Sequence, residues 1–118
     1  MPDVHETVVG SLRLVVEDRA HLPGGGPTLR VYGEGRELLR FDCFARGPHW
    51  HIDPMGRDER ARIDRDADPV EWVLRLLRAD AVDLLAQAGA PDAPLATELA
   101  PALDEVERAL RAVKLAPR

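Results

Sequence analysis

Cysteine occurs once in the 118 residues, at Cys43, so no internal disulfide can staple this chain. A small core that stands without such a link is the usual arrangement in a reducing cytoplasm, which is the expected compartment. Long apolar runs are also missing, and the opening residues, Met1 to Thr7, lack a basic segment followed by a hydrophobic one. The sequence therefore predicts neither a membrane span nor a secretory signal. Lysine is nearly absent, with Lys114 alone among 16 basic residues, and the formal net charge of −5 is spread over both halves of the chain. No basic tail or strongly cationic surface is visible, which argues against nucleic acid as a partner. The three glycines at 24–26 lack the Lys-Ser/Thr sequel of a phosphate loop and precede a strand rather than a helix.

What is present suffices for one folded domain over residues 1–118. Leu, Ile, Val and Phe make up about a quarter of the chain, above the level at which chains fail to bury enough surface to fold. Leu12, Leu14 and Val16 recur at the period of a half-buried strand, and Pro23-Gly24-Gly25-Gly26-Pro27 breaks that run. Leu29 and Val31 mark a second strand, the Gly33-Glu34-Gly35 turn follows, and Leu39, Phe41 and Cys43 mark a third. His49 to Asp53 is a fourth short strand or a bent continuation of the third. Strands are thus expected within about 8–53, followed by a charged, solvated loop over 54–68.

The period then changes. Asp68-Pro69-Val70-Glu71 carries the signals of a helix start, with Asp68 as N-cap and Glu71 placed to complete a capping box. Val70, Val73, Leu74, Leu77, Ala81, Leu84 and Leu85 form one stripe, and Gly89 sits where a left-handed cap belongs. A last helix carries Leu99, Leu103, Val106, Leu110 and Val113, with Pro101 expected in its first turn. Helices are expected at about 69–88 and 97–114. The predicted fold class is α+β, an antiparallel meander of three to four strands packed against a C-terminal helical hairpin.

Leu38-Leu39-Arg40-Phe41-Asp42-Cys43-Phe44, then Pro48-His49-Trp50-His51, then Asp68-Pro69-Val70-Glu71-Trp72 resemble a family of small bacterial proteins of unknown function. In that family an Arg-Phe-Asp-Cys-Phe strand precedes Pro-His-aromatic-His, a polar loop and an amphipathic helix with Trp near its start. The likeness spans roughly residues 29–90. It implies a compact bacterial domain and no particular activity, cofactor or catalytic residue.

Chemistry is most visible at His49-X-His51, because positions i and i+2 of a strand project to one face, where two imidazoles can bind one divalent metal. Asp53 continues the spacing as an oxygen ligand, with His5, His21, Asp42, Cys43 or Glu59 as further sources. The plainer reading places both histidines in hydrogen bonds or at an interface. Cys43 shares parity with Leu39 and Phe41 and is expected in the core, while Asp42 is expected to pair with Arg13 or Arg30. Arg13, Arg30, Arg40 and Tyr32 are placed on one solvated sheet face, which Trp50 can join, and Trp72 stands beside its helix stripe as an interface anchor. No complete catalytic constellation is present. The leading expectation is a non-enzymatic interaction domain, a homodimer with Trp50, Trp72 and Arg40 near its binding surface. A metal-dependent hydrolase or oxygenase using His49, His51 and Asp53 comes second, and a toxin-like ribonuclease using the two histidines as acid and base comes third.

Overall fold

Alternation along the chain becomes six strands in a computed structural model that describes residues 4–92, 94 and 96–113. They are β1 (Val4–Val9), β2 (Leu12–Asp18), β3 (Pro27–Gly33), β4 (Arg36–Asp42), β5 (His49–Ile52) and β6 (Glu59–Arg62). Each pairs antiparallel with the next, so the spatial order is the sequence order. Two helices follow, α1 (Pro69–Gln87) and α2 (Ala96–Ala112), and both pack on one face of the sheet. The fold class is α+β, as the periodicities indicate, and no helix among the described residues is long and apolar enough to cross a membrane.

The described residues form six strands rather than three to four. In β1 the outward residues Val4 and Val8 are apolar, 48 % and 65 % exposed, while Thr7 is buried, so the strand carries no hydrophobic alternation of the right sense. In β6 the sequence Glu-Arg-Ala-Arg is exposed throughout and is held by backbone pairing to β5 alone. An edge strand made of charges resists pairing with other chains, which explains both its composition and its resemblance to loop. The segment 54–68 therefore contains a strand.

A β-bulge alters β4. Val31 pairs with Leu39 and Tyr32 with Glu37, which leaves Leu38 without a partner across the ladder. The bulge turns both Leu38 and Leu39 inward, at 0 % and 1 % exposure, whereas strict alternation places Leu38 on the face of Arg40. The Glu34-Gly35 turn has positive φ at both residues, the twist a tight hairpin requires.

Helix α1 matches its sequence signals closely. Asp68 accepts hydrogen bonds from the Val70 and Glu71 amides at 2.9 and 3.2 Å, all seven stripe residues are buried, and Gly89 takes φ 96° after the last turn. Glu71 does not close a capping box, because its carboxylate takes Arg75 at 3.0 Å one turn on. Replacement of Asp68 by Ala removes the cap and is expected to cost about 1 kcal/mol, a fall of roughly 3–5 °C in Tm by calorimetry. Helix α2 buries Leu99, Ala102, Leu103, Val106 and Leu110. It starts at Ala96, so Pro101 lies in the second turn rather than the first and forfeits a bond to the Thr97 carbonyl on the solvent side. The expected end of this helix, Lys114, lies outside the described residues.

These helices leave the other face of the sheet open. Pairing places Arg13, Arg30, Tyr32, Arg40, Asp42, His49 and His51 on it together.

Candidate metal centre

The β4–β5 register builds the centre. Asp42 stands opposite His49 and Arg40 opposite His51, all on the open face, while Phe41 and Leu39 stand opposite Trp50 and Ile52 on the helix-covered face. Strand period alone fixes this division, since Trp50 lies between the two histidines.

His49 Nε2 lies 2.9 Å from Asp42 Oδ2, and His51 Nε2 lies 3.8 Å from the same oxygen. One donor atom from each of the three residues falls within 4.8 Å of the others. Two donors each about 2.1 Å from one ion stand roughly 3–3.6 Å apart at ordinary coordination angles. The Asp42–His49 pair therefore stands near ligand spacing, while His51 Nε2 lies slightly beyond it and has to move inward to share an ion. Asp42 and His51 are buried at 3 % exposure each, and His49 is half-buried.

A second layer orients every member. His49 Nδ1 donates to the Gly47 carbonyl at 2.8 Å, and His51 Nδ1 donates to Asp58 Oδ1 at 2.8 Å, so both rings turn Nε2 toward Asp42. The proton that His51 donates holds the Asp58 carboxyl below the usual carboxylate range. Asp42 Oδ1 accepts from the buried Thr28 hydroxyl at 2.9 Å and from Arg19 at 3.4 Å, while Oδ2 faces the two imidazoles and, at 3.8 Å, Arg40 Nε. Phe44 braces this side, edge-on to His49 at 6.2 Å and beneath the Arg19 guanidinium at 5.2 Å.

Both ring nitrogens of His49 thus face oxygen acceptors. A doubly protonated ring satisfies both contacts, and so does a neutral ring with a cation in place of the Nε2 proton. Arg40 is the competing cation. Its Nη2 lies 3.3 Å from His51 Nε2, its Nη1 lies 3.7 Å from Glu37, and its buried Nε lacks a hydrogen-bond partner among the described residues.

Asp53, the third ligand suggested by spacing, stands apart from this group. It follows β5 in the left-handed region at φ 53°, where the strand's alternation ends, and its carboxylate holds Arg36 at 2.9 Å and the Arg57 amide at 3.1 Å. Asp42 occupies the position beside the imidazoles. Its partners are Thr28, Arg19, Arg40 and the histidines rather than Arg13 or Arg30. Arg13 lies over the Tyr32 ring at 4.7 Å, and Arg30 pairs with Glu17 and Glu37. His5 pairs with Glu105 of α2 at 3.2 Å, on the other side of the sheet. Asp58 is the member that sequence reasoning missed, since it lies in the segment read as loop and comes to His51 only through the β5–β6 turn.

The tryptophans do not join the arginine face. Trp50 stacks on Phe41 at 5.6 Å and 10°, Trp72 meets it at 6.3 Å, and both pack against the core. Cys43 is fully buried as its parity indicates, and burial, with the Asp42 and Asp68 carboxylates adding to it, pushes the thiol up to about 12. A neutral buried thiol is not a nucleophile. Disulfide-exchange labelling of the folded protein at pH 8 is expected to leave Cys43 unmodified, with one equivalent reacting in denaturant. The raised value also has a sign for stability: the unfolded chain loses this proton near 9.0 and the native one near 12, so stability falls as pH climbs through that window.

No curated protein and no solved structure matches the chain. Residues 7–115 match one family model, a span that reaches beyond the resemblance at roughly 29–90 to take in part of the N-terminal strand and the last helix. The chain belongs to that family, the domain of unknown function DUF7700.

Proposed function

We propose that this domain binds a divalent transition-metal ion through Asp42, His49 and His51. The observation that carries the reading is the gathering of two Nε2 atoms at 2.9 and 3.8 Å from Asp42 Oδ2, with the opposite nitrogen of each ring already committed to a carbonyl or a carboxylate. Outer partners of this kind fix ring orientation in metal sites and raise the basicity of the ligating nitrogen. Two imidazoles and one carboxylate suit zinc or ferrous iron and leave positions for water or substrate. Hydrolysis by an activated water, or oxygen chemistry on iron, is the reaction class such a set supports.

Calorimetric titration with zinc tests the reading. One ion per chain is expected, with affinity reduced more than a hundredfold in His49→Ala/His51→Ala and about ten- to a hundredfold in Asp58→Asn, which leaves the three ligands in place. Zinc binding of equal strength in all three proteins would refute it.

A separate observation supports a second reading, a homodimer. Val4 and Val8 project from the edge strand β1 on the open face, 48 % and 65 % exposed, beside a row of unpaired backbone groups. Sedimentation equilibrium should then give a dimer that Val8→Lys dissociates, whereas a monomer at high concentration removes this reading.

A further inference from the structure

An open cleft of about 980 Å³ runs beside the centre, and His49 belongs to both. Its wall carries Arg60, Arg62 and Arg65, with Asp64 as the one carboxylate lining it. Arg60 and Arg62 stand on β6 opposite His51 and His49, so the sheet register sets the two arginines across from the two histidines. Arg60 is engaged by Asp58 at 3.5 Å. The side chains of Arg62 and Arg65 have no hydrogen bond or ion pair with any described residue.

This concentration of positive charge contradicts the chain as a whole, which carries a net charge of −5 and pairs most of its other arginines closely. Unpaired guanidinium groups on a concave surface are anion donors, and their planar fork fits phosphate oxygens two at a time. The acidic surroundings oppose an extended polyanion, whose length would meet the rest of the surface. We infer that the cleft binds a small phosphorylated anion, with Arg62 and Arg65 gripping its oxygens and one oxygen completing the coordination of the ion held by Asp42, His49 and His51. The inference rests on the metal reading and names the ligand class of the same site. An anion that bridges guanidinium groups and a metal is the arrangement in which phosphoester bonds are polarised for hydrolysis.

The test titrates inorganic phosphate into the protein with and without manganese, followed by amide NMR shifts in the metal-free form and by phosphorus relaxation in the loaded form. Phosphate should bind the loaded protein at least tenfold more tightly than the metal-free one. Arg62→Gln/Arg65→Gln should lose about tenfold in phosphate affinity while its zinc titration stays unchanged. Both side chains are exposed, so circular dichroism of this variant should match the parent. Phosphate affinity that the double variant leaves intact, or that is the same with and without metal, overturns the inference while the metal reading stands. A protein that binds phosphate through these arginines yet takes up neither zinc nor manganese overturns the metal reading and the bridging role together.

Discussion

Replacing Asp42 by Ala is expected to lower the free energy of unfolding by about 3–5 kcal/mol, the range found when one partner of a buried ion pair is removed. Its carboxylate is 3 % exposed and receives Thr28, Arg19 and His49, with Arg40 and His51 at 3.8 Å. Without it, a hydroxyl that is wholly out of solvent loses its acceptor, and three or more cationic or polar groups face one another around a small void. Asp42→Asn keeps an oxygen for Thr28 and should lose less, about 1–2 kcal/mol. Urea denaturation at neutral pH reads both. A loss under 1 kcal/mol in the alanine variant would mean that water reaches the centre and that Asp42 organises nothing. Because these contacts of Asp42 act on stability whether or not a metal enters, this result fixes the structural weight of Asp42 without deciding the ion's presence.

Arg40→Gln decides more, since it separates a metal centre from an ion-pair network. A guanidinium 3.3 Å from His51 Nε2 stands where an incoming dication must be accommodated. At about 5 Å the repulsion between a double and a single positive charge exceeds 1.5 kcal/mol even at the dielectric constant of water, and partial burial increases it. Arg40 is a quarter exposed, so it can swing outward and relieve part of this. Glutamine keeps the stem and removes the charge. Zinc is therefore expected to bind Arg40→Gln about ten- to a hundredfold more tightly than the parent. Glu37 retains Arg30 at 3.0 Å, which limits the loss of stability. If the cluster were only structural, the variant would be less stable and no better at binding zinc.

The sequence reveals the helices better than the sheet, for a physical reason. Helix α1 carries its cap, its stripe and its terminating glycine within one local segment, so each signal reinforces the others. Strands β1 and β6 carry no such signal: one has valine facing solvent, and the other is all charge and alanine. The Leu38 bulge is likewise invisible locally, because two adjacent leucines fit strict alternation as well as they fit a bulge. At the centre, His49 and His51 are legible from their i, i+2 spacing, and Trp50 between them must face away. Asp42 becomes their partner only through the length of the Cys43–Pro48 connection, which sets the β4–β5 register. Asp58 depends on a strand with no hydrophobic pattern, and Asp53 fails to continue the spacing because its positive φ ends the strand.

Diffraction from crystals of the zinc-loaded protein, recorded at energies on both sides of the zinc absorption edge, tests the central claim most directly. The account predicts one anomalous peak per chain, about 2 Å from Asp42 Oδ2, His49 Nε2 and His51 Nε2, with Arg40 turned away from His51. A peak at other side chains, or none with the Arg40–His51 contact intact, would contradict it.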